Sequence, residues 1–359
     1  MKKREILPLA KTIIRNWSPE SYFISMILLI ETAEEWLVDQ YLKLYLDGMP
    51  CCQYDQVKIQ KRDSDTAQFD ISAVWSVCPF LDITYISNEF VMSNHKDIFE
   101  YIRAAIARGY YLYFTTRNER YDINSSENDI QPVFVCGYDE DKKCVITVSH
   151  FNDKGKIFYK EIDNHKFNAI YNSWSDVTDS EKHSDLTIML LKLKDYEYHS
   201  DIKSFAKYVV NYLLTAEEKY FAREEQTYKG FGFYDLIQEY IDEFLSINTS
   251  TRKDIKLFNI LCDHTQLWCK KIELLQRQGH FQLSSGETEK YHMLHKRAEK
   301  ASNLFLMYWV QEDIGILIDI KKLLQDMRRE EYSLIDRLHD ILSWNLLEWN
   351  EWFGDSEQK

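Results

Sequence analysis

The sequence predicts an α+β fold: a helix with an antiparallel sheet over residues 1–195, followed by an all-α helical bundle over 196–359. Three observations lead there. Apolar residues recur at helical spacing from Ser21 to Leu46, short β-prone runs separated by turn residues occupy much of 110–193, and beyond about Tyr196 only three- and four-residue apolar spacing remains. A 359-residue chain with 45% hydrophobic and 14% aromatic content can bury a sizeable core and is more than one domain usually needs.

Ser18-Pro19-Glu20-Ser21 supplies a capping residue, a first-turn proline and an acid, so a long buried helix is expected from Ser21 to Leu46. Met49-Pro50, Cys78-Pro79 and polar clusters break 47–97 into short pieces. His95 to Arg108 is amphipathic and ends at Gly109, and the aromatic run Tyr110 to Thr115 follows as a strand. After a polar loop from Asn118 to Asp129, Val133 to Cys136 and Cys144 to Val148 flank the acidic turn Gly137-Tyr138-Asp139-Glu140-Asp141, which reads as a hairpin. Asp153-Lys154-Gly155 turns the chain into a further short strand, Lys156 to Glu161. A polar connector, Ser173 to Ser184, precedes the last strand, Leu186 to Leu193. Helices are then expected over 204–225, 234–247, 254–278, 287–329 and 331–349, interrupted at 249–251 and 279–286.

Lys+Arg 44 against Asp+Glu 58 gives a net charge of −14, which repels phosphate backbones and anionic lipid, and no basic patch offsets it. Nucleic acid and membrane are therefore not expected as partners. Lys11 and Arg15 interrupt the apolar run that a signal peptide requires, and the longest apolar stretch, Tyr22 to Ile30, is far short of the roughly 20 residues of a membrane span. Seven cysteines, with Cys51-Cys52 the only close pair, do not form the framework of a secreted module; reduced thiols in a cytoplasmic protein are expected.

The segments Ser21 to Leu28, Gly109 to Tyr113 and Phe134 to Asp139, in this order of elements, resemble the BtrH amino-terminal-domain family of papain-like proteins encoded in nonribosomal-peptide and peptide-antibiotic clusters. Tyr234-Asp235-Leu236 and Asp263-His264-Thr265 to Leu275 extend the resemblance into the helical part. It implies a papain-like first domain and the transfer of an acyl or peptidyl group from a carrier-protein thioester to an amine. The implied partners are an acyl or peptidyl carrier protein, or a synthetase, and a peptide-like small molecule; no cofactor is implied. In such chemistry a cysteine at the start of the long helix is the nucleophile and a histidine on a facing strand is its base. At the corresponding places of cysteine, histidine and acid this chain carries Ser21, Gln131 and His150, with Ser18 as a second candidate for the first.

An active chain would accordingly use Ser21 as nucleophile, His150 as base and Gln131 as orienting or oxyanion-binding group. A serine hydroxyl is a far weaker nucleophile than a thiolate, and glutamine cannot accept a proton at neutral pH. Loss of cysteine and histidine together points equally to a catalytically silent relative that binds a peptide or partner. Each residue also has a plain structural reading: Ser21 as a helix cap, Gln131 before Pro132 at a strand start, His150 at a strand end. Cys78, in the loop-rich part, is the alternative thiol nucleophile, whereas Cys136 and Cys144 fall within strands and should pack as small hydrophobes.

No Cys-x-x-Cys pair, Gly-rich phosphate loop, Gly-x-Ser-x-Gly elbow or His-Glu-x-x-His motif occurs. His292 and His295, joined by His264 or Cys269, are read as packed or exposed side chains rather than metal ligands. Glu217-Glu218, Glu224-Glu225 and Glu330-Glu331 are read as solvated faces. Tyr308, Trp309, Trp344, Trp349 and Trp352 are expected mostly in the core, with any exposed remainder forming a partner surface. Docking of an acidic carrier would need local bases such as Lys270-Lys271 and Lys321-Lys322.

Overall fold

A computed structural model describes residues 3–12, 18–47, 75, 77–95, 97–117, 130–151, 156–175, 187–217, 230–246 and 255–353, with backbone alone at some of them, among them Ser18, Gln131, His150 and 344–353. It is a mixed helix and antiparallel-sheet structure. Two compact units divide the chain, Met1–Glu34 with Phe69–Glu197, and Glu35–Gln68 with Tyr198–Lys359. Where the sequence reading places one cut after residue 195, the second unit also takes in Glu35–Gln68.

In chain order the described elements are β1 (Arg4–Ile6), α1 (Ser18–Ile27), α2 (Ala33–Asp47), β2 (Leu81–Ser87), α3 (Asn88–Asn94), α4 (Ile98–Ile106), β3 (Tyr111–Arg117), β4 (Ile130–Asp139), β5 (Cys144–Phe151), β6 (Ile157–Asp163), α5 (Asn164–Ser175) and β7 (Thr187–Leu193). There follow α6 (Ile202–Glu217), α7 (Gly232–Leu245), α8 (Lys256–Arg277), α9 (Ser285–Gln311) and α10 (Ile314–Phe353). The single helix expected from Ser21 to Leu46 is two. The amides of Leu29 and Ile30 turn back to the carbonyls of Met26 and Ile27 at 3.2 and 2.8 Å, tight three-residue closures that end α1 before Ala33 starts α2.

The sheet of the first unit runs β2-β7-β3-β4-β5-β6, antiparallel at each junction, with β1 added to β4 beside Asp139, Tyr138 and Gly137. Period-two alternation divides its faces. Leu112, Phe114, Val133 and Val135 join a core with Ile98, Ile102 and Ile106 of α4 and Phe167 and Tyr171 of α5. The alternate residues Tyr113 and Phe134 meet α1: the ring of Tyr22 stacks on Phe134 at 4.9 Å and Phe23 lies 5.5 Å from Tyr113. Helices thus cover both faces.

Local chemistry explains several boundaries. The Asp97 side chain accepts the amide of Glu100 at 2.8 Å to cap α4, and Gly109 at φ +82° ends that turn in the left-handed region where glycine is favoured. At Gly137 a bulge interrupts the β4–β5 register, and β1 approaches so closely that an added Cβ would sit 2.5 Å from the carbonyl oxygen of Glu5. Helix α5 was not expected from the sequence, although Phe167, Ile170, Tyr171 and Trp174 stand at three- and four-residue spacing in its polar stretch; Phe167 and Tyr171 are buried.

Within the second unit α8 packs on α9, α9 on α10, and α10 on α6 and α7. A capping box of Ser284 and Glu287 begins α9. The helix expected to run through to Arg329 instead stops at Gln311, with Glu312 left-handed at φ 55°. No glycine or proline announces that stop; Asp313 restarts the next helix by accepting the amide of Gly315 at 2.8 Å. The helix boundary expected between Arg329 and Glu331 lies inside α10.

Candidate functional site

The papain-type positions come first. Ser21 lies in the first turns of α1 and is buried, 2% exposed, beside the Tyr22 that anchors the helix to β4. Strands β4 and β5 pair antiparallel through Val135 and Thr147, so Gln131, four residues before the one, and His150, three after the other, occupy the same end of that hairpin. Gln131 is registered opposite Thr116 of β3, and His150 opposite Phe158 of β6 next to an irregularity in the ladder. The side chains of Gln131, His150 and Ser18 lie outside the described residues.

The thiols are set by their surroundings. Cys78 is buried, and desolvation pushes its thiol up to about 12 against weaker opposing hydrogen bonds from the Phe80 and Leu81 backbone. Cys136 and Cys269 are likewise pushed up to about 12 by burial, and Cys144 is raised for the same reason. The described cysteines Cys78, Cys136, Cys144, Cys262 and Cys269 are not joined in disulfides. A thiol that titrates near 12 is protonated at neutral pH, and the thiolate is the nucleophile. Cys51 and Cys52 lie outside the described residues.

The second unit holds an ionisable centre that sequence reasoning missed. Glu331 on α10, expected on a solvated face, is fully buried. Its Oε1 accepts the hydroxyl of Tyr212 from α6 at 2.6 Å, and its Oε2 accepts that of Tyr234 from α7 at 2.5 Å. Nε2 of His264, on α8, lies 2.8 Å from Oε1. Trp268 Nε1 approaches that same ring nitrogen at 3.2 Å, and one nitrogen cannot both accept there and donate to the carboxylate. The shorter contact to a charged acceptor decides it: His264 donates to Glu331. Burial raises the Glu331 carboxyl, but His264 and the hydrogen bonds from His264, Tyr212 and Tyr234 outweigh it and hold the group below its ordinary value. Desolvation, then Glu331, drives both tyrosines well above 10.0, so they remain donors. A buried carboxylate with three donors upon it ties four helices together.

A second buried charge was also misjudged. Lys271, expected as a docking base, is 0% exposed and paired with Asp39 of α2. Its Nζ also donates to Ser200 Oγ at 2.9 Å and lies 4.9 Å from the ring centroid of Phe205. Ser200 in turn donates to Asp39 Oδ2 at 2.5 Å, and Tyr198 donates to the same oxygen at 3.0 Å. Asp39, Leu42, Tyr198, Asp201, Ser204, Phe205 and Tyr208 line an adjoining recess of about 50 Å³, room for a water molecule or two rather than a substrate. The serine hydroxyl is engaged on both sides, accepting from the ammonium and donating to the carboxylate.

His295 Nδ1 lies 3.1 Å from Thr265 Oγ1, and His292 Nε2 lies 3.5 Å from Glu273. Among the described residues no group of three His, Cys, Asp or Glu side chains gathers as metal ligands would, and no described helix is long and apolar enough to cross a membrane. Neither a scan against protein-family models nor a search of curated proteins found a match for this chain.

Proposed function

We propose that the chain is a catalytically silent relative of the BtrH amino-terminal-domain proteins, a cytoplasmic papain-like domain joined to a helical bundle, that binds a peptide-like intermediate, a carrier protein or a synthetase in peptide-antibiotic assembly. One observation carries the silent reading. The two candidate nucleophiles whose side chains are described, Ser21 and Cys78, are both buried, and burial holds the Cys78 thiol up at about 12. The papain-like reading is supported by α1 packed on β4 and β5 of an antiparallel sheet.

A second reading, an active transferase that forms amides from carrier-bound thioesters, has its own support in the hairpin end shared by Gln131 and His150. In that reaction Ser21 Oγ attacks the thioester carbonyl as His150 takes its proton, the thiol leaves, and an amine then displaces the serine ester. Intact-mass spectrometry of wild type and Ser21→Ala with a panel of acyl and aminoacyl thioesters at neutral pH separates the two. No adduct and no thioester consumption above buffer supports the silent relative. An adduct lost in Ser21→Ala overturns it and establishes serine acyl transfer.

A further inference from the structure

We propose that the corner where α9 passes into α10 is a docking face for a lysine- or arginine-rich amphipathic segment of a partner protein. The inference lies wholly in the second unit and is independent of Ser21, of the hairpin and of whether the first unit is active.

Large apolar side chains cluster there in water. Leu306, Met307, Trp309 and Val310 are exposed near the end of α9, and Ile314 and Ile318 are exposed in the first turns of α10. Val310 is 84% exposed and Ile314 is 54% exposed, although each β-branched side chain gains on leaving water. The spacing makes a surface of them. Residues 306, 309 and 310 stand three and four apart, as do 307 and 310, and thus share one side of α9, while 314 and 318 share one side of α10. Only Glu312 and Asp313 separate the two helices, and the left-handed Glu312 turns the chain between them, so both sets lie at one end of the helix pair. Beneath them Phe305 and Tyr308 are buried against Phe244, a firm floor rather than a frayed end. Isolated exposed apolar residues need no explanation; six at one helix corner do.

Charge selects the occupant. From Ala301 to Ile320 the chain carries Glu312, Asp313 and Asp319 and not one Lys or Arg. The next base, Lys321, is held by Asp242 at 2.5 Å. An apolar face with an acidic border, on a chain of net charge −14, repels a second copy of itself and repels anionic lipid. It complements a helix that presents leucine-like side chains along one side and bases beside them, the groove-binding arrangement in which apolar anchors supply affinity and border charges supply orientation and rate.

Isothermal titration of the full chain with a synthetic amphipathic Lys/Leu peptide tests this, with a Glu/Leu peptide of the same pattern alongside. The Lys/Leu peptide is expected to bind, more weakly as salt is raised, and Val310→Gln with Ile314→Gln to weaken it by about tenfold or more. These positions are exposed, so the double variant should keep the wild-type unfolding midpoint. Val210→Gln with Leu214→Gln, which removes exposed apolar side chains from α6, is the control and should leave binding unchanged. The proposal is overturned by absence of binding, by equal binding of the Glu/Leu peptide, or by equal loss in the control variant. A concentration-dependent doubling of mass that the Val310/Ile314 variant abolishes also overturns it, by assigning the face to a second copy.

Discussion

His264 Nε2 lies 2.8 Å from Glu331 Oε1 in the interior of the second unit, joining α8 to α10 across 67 residues of sequence. Because Tyr212 and Tyr234 bring α6 and α7 to the same carboxylate, the loss of one atom group is felt by four helices. Removing the carboxylate leaves His264 and two tyrosine hydroxyls buried without their acceptor, at a cost of about 1–3 kcal/mol for each stranded donor. Glu331→Ala is therefore expected to lower the unfolding free energy by that order in urea titration, and Tyr234→Phe by about 1–3 kcal/mol. A Glu331→Ala protein as stable as wild type would show that the carboxylate is not a structural tie.

The same group sets an acid response. The Glu331 carboxyl is held below its ordinary 4.5 in the folded chain, so the unfolded chain binds the proton more readily. Its stabilisation is complete above the unfolded value and disappears as pH falls through that value toward the lowered folded one. Urea midpoints measured from pH 7 down to pH 4 should fall more steeply for wild type than for Glu331→Gln. Parallel curves would remove Glu331 as a source of acid sensitivity.

Lys271 and Asp39 form a second test of buried charge. Lys271→Met alone should cost about 3–5 kcal/mol by stranding Asp39, and adding Asp39→Asn should recover part of that loss, since the pair then disappears together. Strictly additive losses in the double-mutant cycle would mean that the two side chains do not couple.

Gly137 is the one place on β4 where a side chain has no room, with Glu5 O 2.5 Å from an added Cβ and Ile6 Cα 3.0 Å away. Gly137→Ala should force β1 off the sheet, costing about 1–3 kcal/mol. Hydrogen exchange at residues 4–6 should accelerate in the variant. Unchanged protection there would show that β1 is not held by this approach.

Desolvation also predicts thiol behaviour. Iodoacetamide at pH 7.5 should leave Cys78, Cys136 and Cys269 unmodified in the folded chain and modify all three in denaturant, read by peptide mass mapping. Rapid native labelling of Cys78 would restore it as a candidate nucleophile.

How much of this was legible beforehand depends on the range of the forces concerned. The hairpin of β4 and β5, the strand after Gly109 and the capped helix at Asp97 follow from alternation, turn residues and local hydrogen bonds, all expressed within a few residues. The stop at Glu312 carries no such mark, since an unremarkable residue adopts the left-handed turn. Glu331 did leave a trace that adjacency to Glu330 obscured. Leu317, Ile320, Leu324, Met327, Leu334 and Leu338 are all buried on α10 at three- and four-residue spacing, and Glu331 falls on that stripe.

By itself the sequence determined a mixed α+β chain with an antiparallel sheet and a helical carboxy-terminal part, because periodicity and turn chemistry act locally. Tertiary structure alone decided that β7 inserts between β2 and β3, that Glu35–Gln68 groups with the later helices, and that Lys271 and Glu331 are inside while Val310 is outside. Those outcomes rest on contacts between residues far apart in the chain. A lysine or glutamate written on an apolar stripe reads as solvent-facing until Asp39, or His264 with two tyrosine hydroxyls, is brought beside it to balance its loss of water.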